Sequence, residues 1–290
     1  MNNITAVIVT FNRPELLIQC LNSVCNQSLK PSRIIIVDNN SDISTKNTLI
    51  NNKFVDKEIN TINYDNISIT YCKKNINDGG AGGFNYGMKK ALSYNSEFIW
   101  IMDDDGKPHK NCLSYLHSQM NQAVHYVAPN LIFEDSEHFT NRISEFKHDV
   151  VDDFGGPFNG ILLSAELVEN IGYPIKEFFI WGDEYEYIQR IKEFGYITAL
   201  SKLAIFYHPK TIVNYKTNKR IFYLIRNRLW SFRLSKNNLR LKIIDSLSLY
   251  YFILNVLFNL LINFNFKMII ELIKGIISGV KINPCTFEKR

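Results

Sequence analysis

Over the first hundred residues, short apolar β-branched runs alternate with stretches of helical spacing. "ITAVIVTF" (4–11) and "SRIIIVDNN" (32–40) each read as a buried parallel strand. Between them, "RPELLIQCLNSVCNQS" carries Leu16, Leu17, Cys20, Leu21 and Val24 at helical spacing, with Pro14 suited to a first helical position. A polar stretch precedes a third strand, "ISITYCKK" (67–74). "NDGGAGGFNYGMKKALSY" reads as a glycine loop running into a helix, and "EFIWIMDDD" (97–105) as the next strand. From 106 to 208 the pattern is mixed. "GGPFNGILLSAELVENIG" predicts a turn, a strand and a helix, and "DEYEYIQRIKEFG" a helix with Gly195 at its end. Past "AIFYHPK" (204–210) the alternation stops and the pattern is helical to about residue 283. The expectation is an α/β domain over 1–210, its mostly parallel sheet flanked by helices, and a helical appendage over 211–290. Ligands of such sheets bind beyond the carboxyl ends of the strands.

Composition adds little to that outline, but charge adds a division. The 290 residues are 46% apolar, enough for a full core. The five cysteines are scattered without a CxxC pair, which fits a reducing compartment and argues against a disulfide framework or a zinc site. The opening "MNNITAVIVTF" reads as a strand, not a signal peptide. The net charge of +5 conceals −7 over residues 1–208 and +12 over 209–290. A basic tail on an acidic body is expected to meet something anionic.

The candidate chemistry sits at strand ends. Asp103, Asp104 and Asp105 follow an apolar strand, where like charges repel unless a cation intervenes. A hard divalent cation, Mg²⁺ or Mn²⁺, would relieve them and keep positions open for phosphate oxygens. A solvated acidic turn is the alternative. "TFNRP" (10–14) and "VDNNS" (37–41) lie on the same sheet edge. Asp38 there can accept from the N3–H of uracil or thymine, or simply cap a turn. Phe11 can flank a base and Arg13 can meet phosphate. The glycine segment, Gly79 and Gly80 included, suits anion binding at a helix N-terminus, although it lacks the Walker lysine and the dinucleotide spacing. Asp183, Glu184 and Glu186 open a helix among Phe179, Trp181 and Tyr185. They read as N-terminal capping or as a general base in an apolar pocket. His208 ends the last strand, either as a structural histidine or as a third metal ligand.

In their order along the chain, "AVIVTFNRPELLIQCLNSV", "IIIVDNNSD", "NDGGAGGFNYGM", "FIWIMDDDGKP" and "FIWGDEYEYIQRI…GYITAL…FYHP" resemble glycosyltransferase family 2, with its Rossmann-like GT-A fold. The doubled glycines with "MDDDGKP" look most like bacterial galactofuranosyltransferases, with rhamnosyltransferases close behind. The resemblance covers roughly residues 4–210. It implies a metal-dependent, inverting transfer from a nucleotide sugar, UDP-galactofuranose first and dTDP-rhamnose second. It also implies metal binding by Asp103, Asp105 and His208, with Asp104 beside them. Asp38 would read the base, and Thr10, Phe11 and Arg13 would surround the nucleotide. Many relatives read Glu-Asp where this chain reads Asp183-Glu184. By position Glu184 is the expected base, and Asp183 stays a candidate.

The tail lies outside those motifs. Residues 246–266 are uncharged over a length able to span a bilayer, but Asn255, Asn259 and Asn263 recur every four residues. We read two amphipathic helices broken near 263–265. The stretch 216–242 mixes Lys and Arg with Phe222, Tyr223, Trp230 and Phe232, which suits an anionic membrane surface better than nucleic acid. Packing on the core or on another subunit is the alternative. The expected partners are a nucleotide-sugar donor, a glycan or lipid-linked acceptor and the inner face of a bacterial plasma membrane. No nucleic acid is expected, and an oligomer is compatible with the pattern. A sugar-1-phosphate nucleotidyltransferase is disfavoured because "TFNRPE" lacks a glycine-rich basic signature. A non-catalytic nucleotide-sugar-binding module is disfavoured by the intact Asp103, Asp105, Glu184 and His208.

Overall fold

The computed structural model describes residues 3–133, 150–152, 156–209, 220–235, 239–263 and 265–282. Its first half runs β1 (Ile4–Thr10), α1 (Pro14–Cys25), β2 (Arg33–Asp38), α2 (Ile43–Asn51), β3 (Thr61–Tyr64), β4 (Ile67–Lys73), α3 (Gly79–Leu92) and β5 (Phe98–Asp103). There follow β6 (Lys107–Pro108), α4 (Cys112–Gln119), β7 (Val124–Phe133), β8 (Val150–Asp152), β9 (Ile161–Ser164), α5 (Ala165–Ile171), α6 (Asp183–Glu193) and β10 (Ile197–His208). Helices α7 (Ile221–Leu234), α8 (Leu239–Ile262) and α9 (Phe266–Lys281) complete the chain. One sheet has the order β3-β4-β2-β1-β5-β9-β7-β10-β6, with β8 paired to β10. Strands β4, β2, β1 and β5 are mutually parallel, and β9 runs antiparallel between β5 and β7.

Alternate residues of the parallel strands feed cores on opposite faces of the sheet. Ile8, Ile36 and Met102 pack with Leu17 and Leu21 of α1. Val7, Val37 and Ile101 pack with Phe84 and Met88 of α3 and Tyr187 and Ile188 of α6. Both sides are dry, which is why these strands read as unbroken apolar runs. Register pairs Thr10 with Asp38 and Val9 with Asp103, so the three strand ends share one edge.

The glycine segment is a correction: it is not a loop, because Gly79–Leu92 is helix from its first residue. Helix propensity argues against five glycines there, but contact demands them. A Cβ on Gly83 would stand 2.4 Å from Val9 Cγ1, and one on Gly87 2.2 Å from Val7 Cγ1. The helix therefore lies against β1 at a distance no side chain allows. The polar stretch before the third strand also holds structure, namely α2 and the antiparallel edge strand β3.

In the tail, the break falls between Ile262 and Phe266, where two amphipathic helices were expected to part. Among the described residues no helix is long and apolar enough to cross a membrane. Helix α9 turns Met268, Leu272, Gly275 and Gly279 inward and packs on α7, with Gly275 and Gly279 facing Phe222, Ile225 and Leu229. Arg233 caps its C-terminus by donating to the carbonyls of Gly279 (2.7 Å) and Ile282 (2.6 Å). The opposite side of α9 exposes Phe266, Ile270, Ile273, Ile277 and Val280, and α8 exposes Leu247, Tyr251, Leu254 and Phe258. The expected boundary at 210/211 and the basic residues Lys216, Lys219 and Lys236 lie outside the described residues.

Candidate active site

The carboxyl edge of the sheet opens into a cavity of about 980 Å³. Thr10, Phe11, Arg13, Gly79, Gly80 and the acid triplet line one side. Asp183, Glu184 and His208 line it too. Eleven of the thirteen acidic, basic, glycine and nucleotide-flanking candidates singled out in the sequence therefore meet in one space, and Asp38 and Glu186 do not line it.

The cation beside the triplet is Arg13. Its Nη1 lies 2.6 Å from Asp105 Oδ2 and 3.1 Å from Asp104 Oδ1. Arg13 occupies the N-cap position of α1 without capping it, which leaves the guanidinium free for this bridge. The Thr10 hydroxyl donates to Asp104 Oδ2 at 2.6 Å. Asp104 is thus buried and held. Burial lifts its carboxyl to about 6 against the pull of Arg13 and Thr10. Asp103 has less relief: burial, then Asp105 and Asp104, push it up to about 8 against the pull of Arg13. Burial also opposes ionisation of Asp105, but His208 and Arg13 outweigh it and hold this carboxyl below the usual range.

His208 Nδ1 lies 2.7 Å from the Pro209 carbonyl oxygen, and Nε2 lies 3.1 Å from Asp105 Oδ1. Burial disfavours the charged ring, yet Asp105 raises its pKa on balance. An Nδ1–H donated to a carbonyl presents Nε2 as a ligand atom. Asp105 Oδ1 is buried and finds no hydrogen bond of acceptable geometry. Among the described residues no three His, Cys, Asp or Glu side chains converge as a complete metal cluster. Asp105 and His208 meet, and Asp103 does not close the set around them. The carboxylates of Asp103 and Asp105 are hard donors that fit Mg²⁺ or Mn²⁺, the imidazole nitrogen of His208 is a borderline donor beside them, and substrate oxygens would fill the remaining positions.

The start of α6 lines the same cavity. Asp183 is buried, and burial followed by Glu184 holds its carboxyl well above the usual carboxylate range, hydrogen-bonded to Glu184. Glu184 Oε2 also accepts from the Gly182 N–H at 3.1 Å. The Asp103 charge acts on Asp183 and that of Glu184 on Asp103, so the two acidic groups lie within electrostatic reach of one another. Glu186 is elsewhere: Arg190 grips it through two bonds of 3.0 and 2.5 Å, a buried structural pair.

The corner before α6 is strained and clamped. Phe179, Trp181 and Gly182 have φ of 66°, 63° and 91°. Asn227 of α7, fully buried, donates its amide to the carbonyls of Phe178 (2.8 Å), Ile180 (2.9 Å) and Trp181 (2.6 Å). Arg226 Nε donates to Asn227 Oδ1 at 2.9 Å and so orients that amide. The start of α3 touches the same corner: Ala81 N donates to Phe179 O, and a Cβ on Gly79 would lie 1.9 Å from that oxygen.

Asp38 is sealed, accepting from Ser41 N (2.6 Å) and Tyr71 Oη (2.5 Å). Its neighbour Asn39 lines the cavity, as do Asn77, Asn130, Asn159 and Arg220, none of which the sequence reading named as site residues. Asn39, Asn77 and Asn159 lie within segments quoted above but are not what marked those segments, and Asn130 and Arg220 lie outside them; the tertiary structure brings all five to the site.

A sequence model of glycosyl transferase family 2 matches residues 5–173. A galactofuranosyltransferase, GlfT1 of Mycolicibacterium smegmatis, is 29% identical over 226 residues, 71% of this chain and 70% of that protein. Among solved structures, S. aureus TarS 1–349 in complex with UDP superposes with a TM-score of 0.58 at 15% identity, covering 83% of this chain and 68% of that one. A mannosyltransferase of Pyrobaculum calidifontis in complex with GDP-Man and Mn²⁺ gives 0.59 at 14% identity, over 86% and 69%. The architecture is that of GT-A glycosyltransferases.

Proposed function

The chain belongs to glycosyl transferase family 2 and is a glycosyltransferase, and on that premise we propose an inverting, metal-dependent transfer of galactofuranose from UDP-galactofuranose to a hydroxyl of a cell-surface or lipid-linked glycan. The observation that carries the mechanism is the presence of two unlike acidic groups in the lining of one cavity: Asp103, Asp105 and His208 from the sheet edge, Asp183 and Glu184 from the start of α6. The naming of a galactofuranosyltransferase among the relatives supports the sugar. A dTDP-rhamnose donor is the second reading, from the motif resemblance alone.

In this mechanism Phe11, exposed at the end of β1, flanks the base. Asp38 acts behind the surface, fixing the turn that presents Asn39. Gly79 and Gly80, at the start of α3, approach the diphosphate. Asp103, Asp105 and His208 would hold Mn²⁺ or Mg²⁺, which when bound would supply positive charge to stabilise the departing diphosphate. Arg13, pinned by Asp104 and Asp105, adds its own. Protonated Asp183 donates to Glu184, and Glu184 takes the proton of the acceptor hydroxyl. The acceptor oxygen then bonds to the anomeric carbon as the bond to the diphosphate breaks, with inversion and no covalent enzyme intermediate.

We assign the enzyme to the inner face of the bacterial plasma membrane, as a peripheral protein carried by α8 and α9. The support is the exposed apolar row on α9 and, one residue beyond Phe266, Ile273 and Val280, the exposed Lys267, Lys274 and Lys281. Positions seven apart share a helix face, so these lysines flank the row as anionic headgroups require. A second copy would bring the same lysines together.

The test is turnover of UDP-galactofuranose, UDP-galactopyranose and dTDP-rhamnose with Mn²⁺, with EDTA and in Asp105→Ala. Metal-dependent consumption of UDP-galactofuranose, lost in the variant, is expected. Metal-independent turnover, or none alongside no nucleotide binding, rejects the mechanism.

A further inference from the structure

Two buried amides in the cavity have no partners. Asn130 of β7 is 0% exposed, and neither its Oδ1 nor its Nδ2 finds a hydrogen bond. Asn159, at the turn before β9, is 3% exposed and its Oδ1 is likewise unpartnered. Buried polar atoms are nearly always satisfied, and an orphan in a native fold calls for an explanation. Both residues line the cavity.

The fold shows what stands on either side of them. The sheet order β5-β9-β7-β10 runs from Asp103 at the end of β5, past Asn159 and Asn130, to His208 at the end of β10. Gly160 N donates to Ile101 O at 2.9 Å, which anchors the Asn159 turn beside the strand that ends in Asp103. Asn130 pairs with Ile205, the first partner after the register shift between Ser201 and Ile205. Irregularities of that kind re-aim side chains next to active sites. The amides thus lie along the edge between the two flanks of the metal-binding set, in the cavity that Glu184 lines from α6.

We propose that Asn130 and Asn159 bind the hydroxyl groups of the sugar being transferred and set the donor's sugar specificity. This rests on the nucleotide-sugar reading above and deepens it. A sugar whose anomeric carbon lies between a metal-held phosphate and a base on α6 fills the space these amides border. Each sugar hydroxyl both donates and accepts. It can give a proton to Asn130 Oδ1 or Asn159 Oδ1 and take one from Asn130 Nδ2. Hydrocarbon or water-excluding packing would leave all three atoms orphaned. Sites that hydrogen-bond a hydroxyl reject analogues lacking it far more strongly than apolar pockets discriminate shape.

The experiment is calorimetric binding with Mn²⁺ of UDP and of UDP-galactofuranose to wild type, Asn130→Ala, Asn130→Asp and Asn159→Ala, with dTDP and dTDP-rhamnose as a second pair. We expect wild type to bind one nucleotide sugar more tightly than its nucleoside diphosphate. Each alanine variant should lose at least about tenfold of that preference, the loss of roughly one buried hydrogen bond. Asn130→Asp conserves volume and loses the donor, so a fall in preference there excludes cavity collapse as the cause. Melting temperatures close to wild type certify folding. Folded variants with an unchanged sugar-to-nucleotide ratio overturn this proposal alone. A folded wild type that binds neither nucleotide overturns the donor reading and this proposal with it.

Discussion

Asn227 offers the sharpest test of how the site is built. Its two amide protons are shared among three carbonyls of the 178–181 corner, so about two hydrogen bonds count. Removing a buried donor leaves its acceptors unsatisfied at about 1–3 kcal/mol each. Asn227→Ala should therefore destabilise the fold by about 2–6 kcal/mol. For a chain of this size that corresponds to a fall in Tm of roughly 4–24 °C. The positive φ angles of Phe179 and Trp181 store roughly 1–3 kcal/mol each, which makes the corner the first segment to relax once released. Asn227→Asp keeps the shape but aims carboxylate oxygens at carbonyls, so it should be no better than alanine. Thermal unfolding gives the stability, and steady-state kinetics should show kcat falling, because the corner leads into Glu184, and the donor KM rising, because Phe179 also holds the start of α3. An aspartate variant as stable and active as wild type would refute the reasoning, since packing alone would then hold the corner.

Three further outcomes are expected. Glu184→Gln should lower kcat about 10²–10⁴-fold with the donor Kd little changed, while Asp183→Asn, which can still donate to Glu184, should lose much less; the reverse ranking would make Asp183 the base. Gly87→Ala drives a Cβ into Val7 at 2.2 Å and should destabilise by about 1–3 kcal/mol in urea denaturation; a neutral result would mean that α3 can back away from β1. Wild-type protein should co-sediment with phosphatidylglycerol vesicles and much less with phosphatidylcholine, and Ile270→Asp should abolish binding; loss of a dimer in that variant, without wild-type lipid binding, would identify the face as a subunit contact instead.

Parts of the molecule were open to reading because burial leaves a local signature. Strands β1, β2 and β5 are covered on both faces, so their residues are apolar without interruption. Strand β3 is an edge with exposed Thr61 and Asn63, and α2 buries only Thr45 and Leu49; neither carries enough pattern to be seen. Strand β7 was hidden by Pro129 and Asn130 in mid-run, which argue against a central strand. The structure accommodates them opposite the irregular part of β10. The glycines of α3 misled for the opposite reason, since their meaning lies in the valines of another element. The acids and His208 were visible as residue types in sequence order. The Arg13 bridge, the sealed Asp38 and the orphaned Asn130 and Asn159 depend on distances between elements far apart in the chain.

The clamp on the corner also bears on how this enzyme can be cut and recombined. The family match ends at residue 173, yet the peptide that presents the acidic pair of α6 is tied down from residue 227. A transplant of the α/β module onto a foreign tail would part Phe178, Ile180 and Trp181 from their donor. A graft would keep the corner only if the new tail returned an amide to the same spot. Tail and α/β module are thus coupled through one buried side chain, and a chimera that exchanges the first has to repair the second.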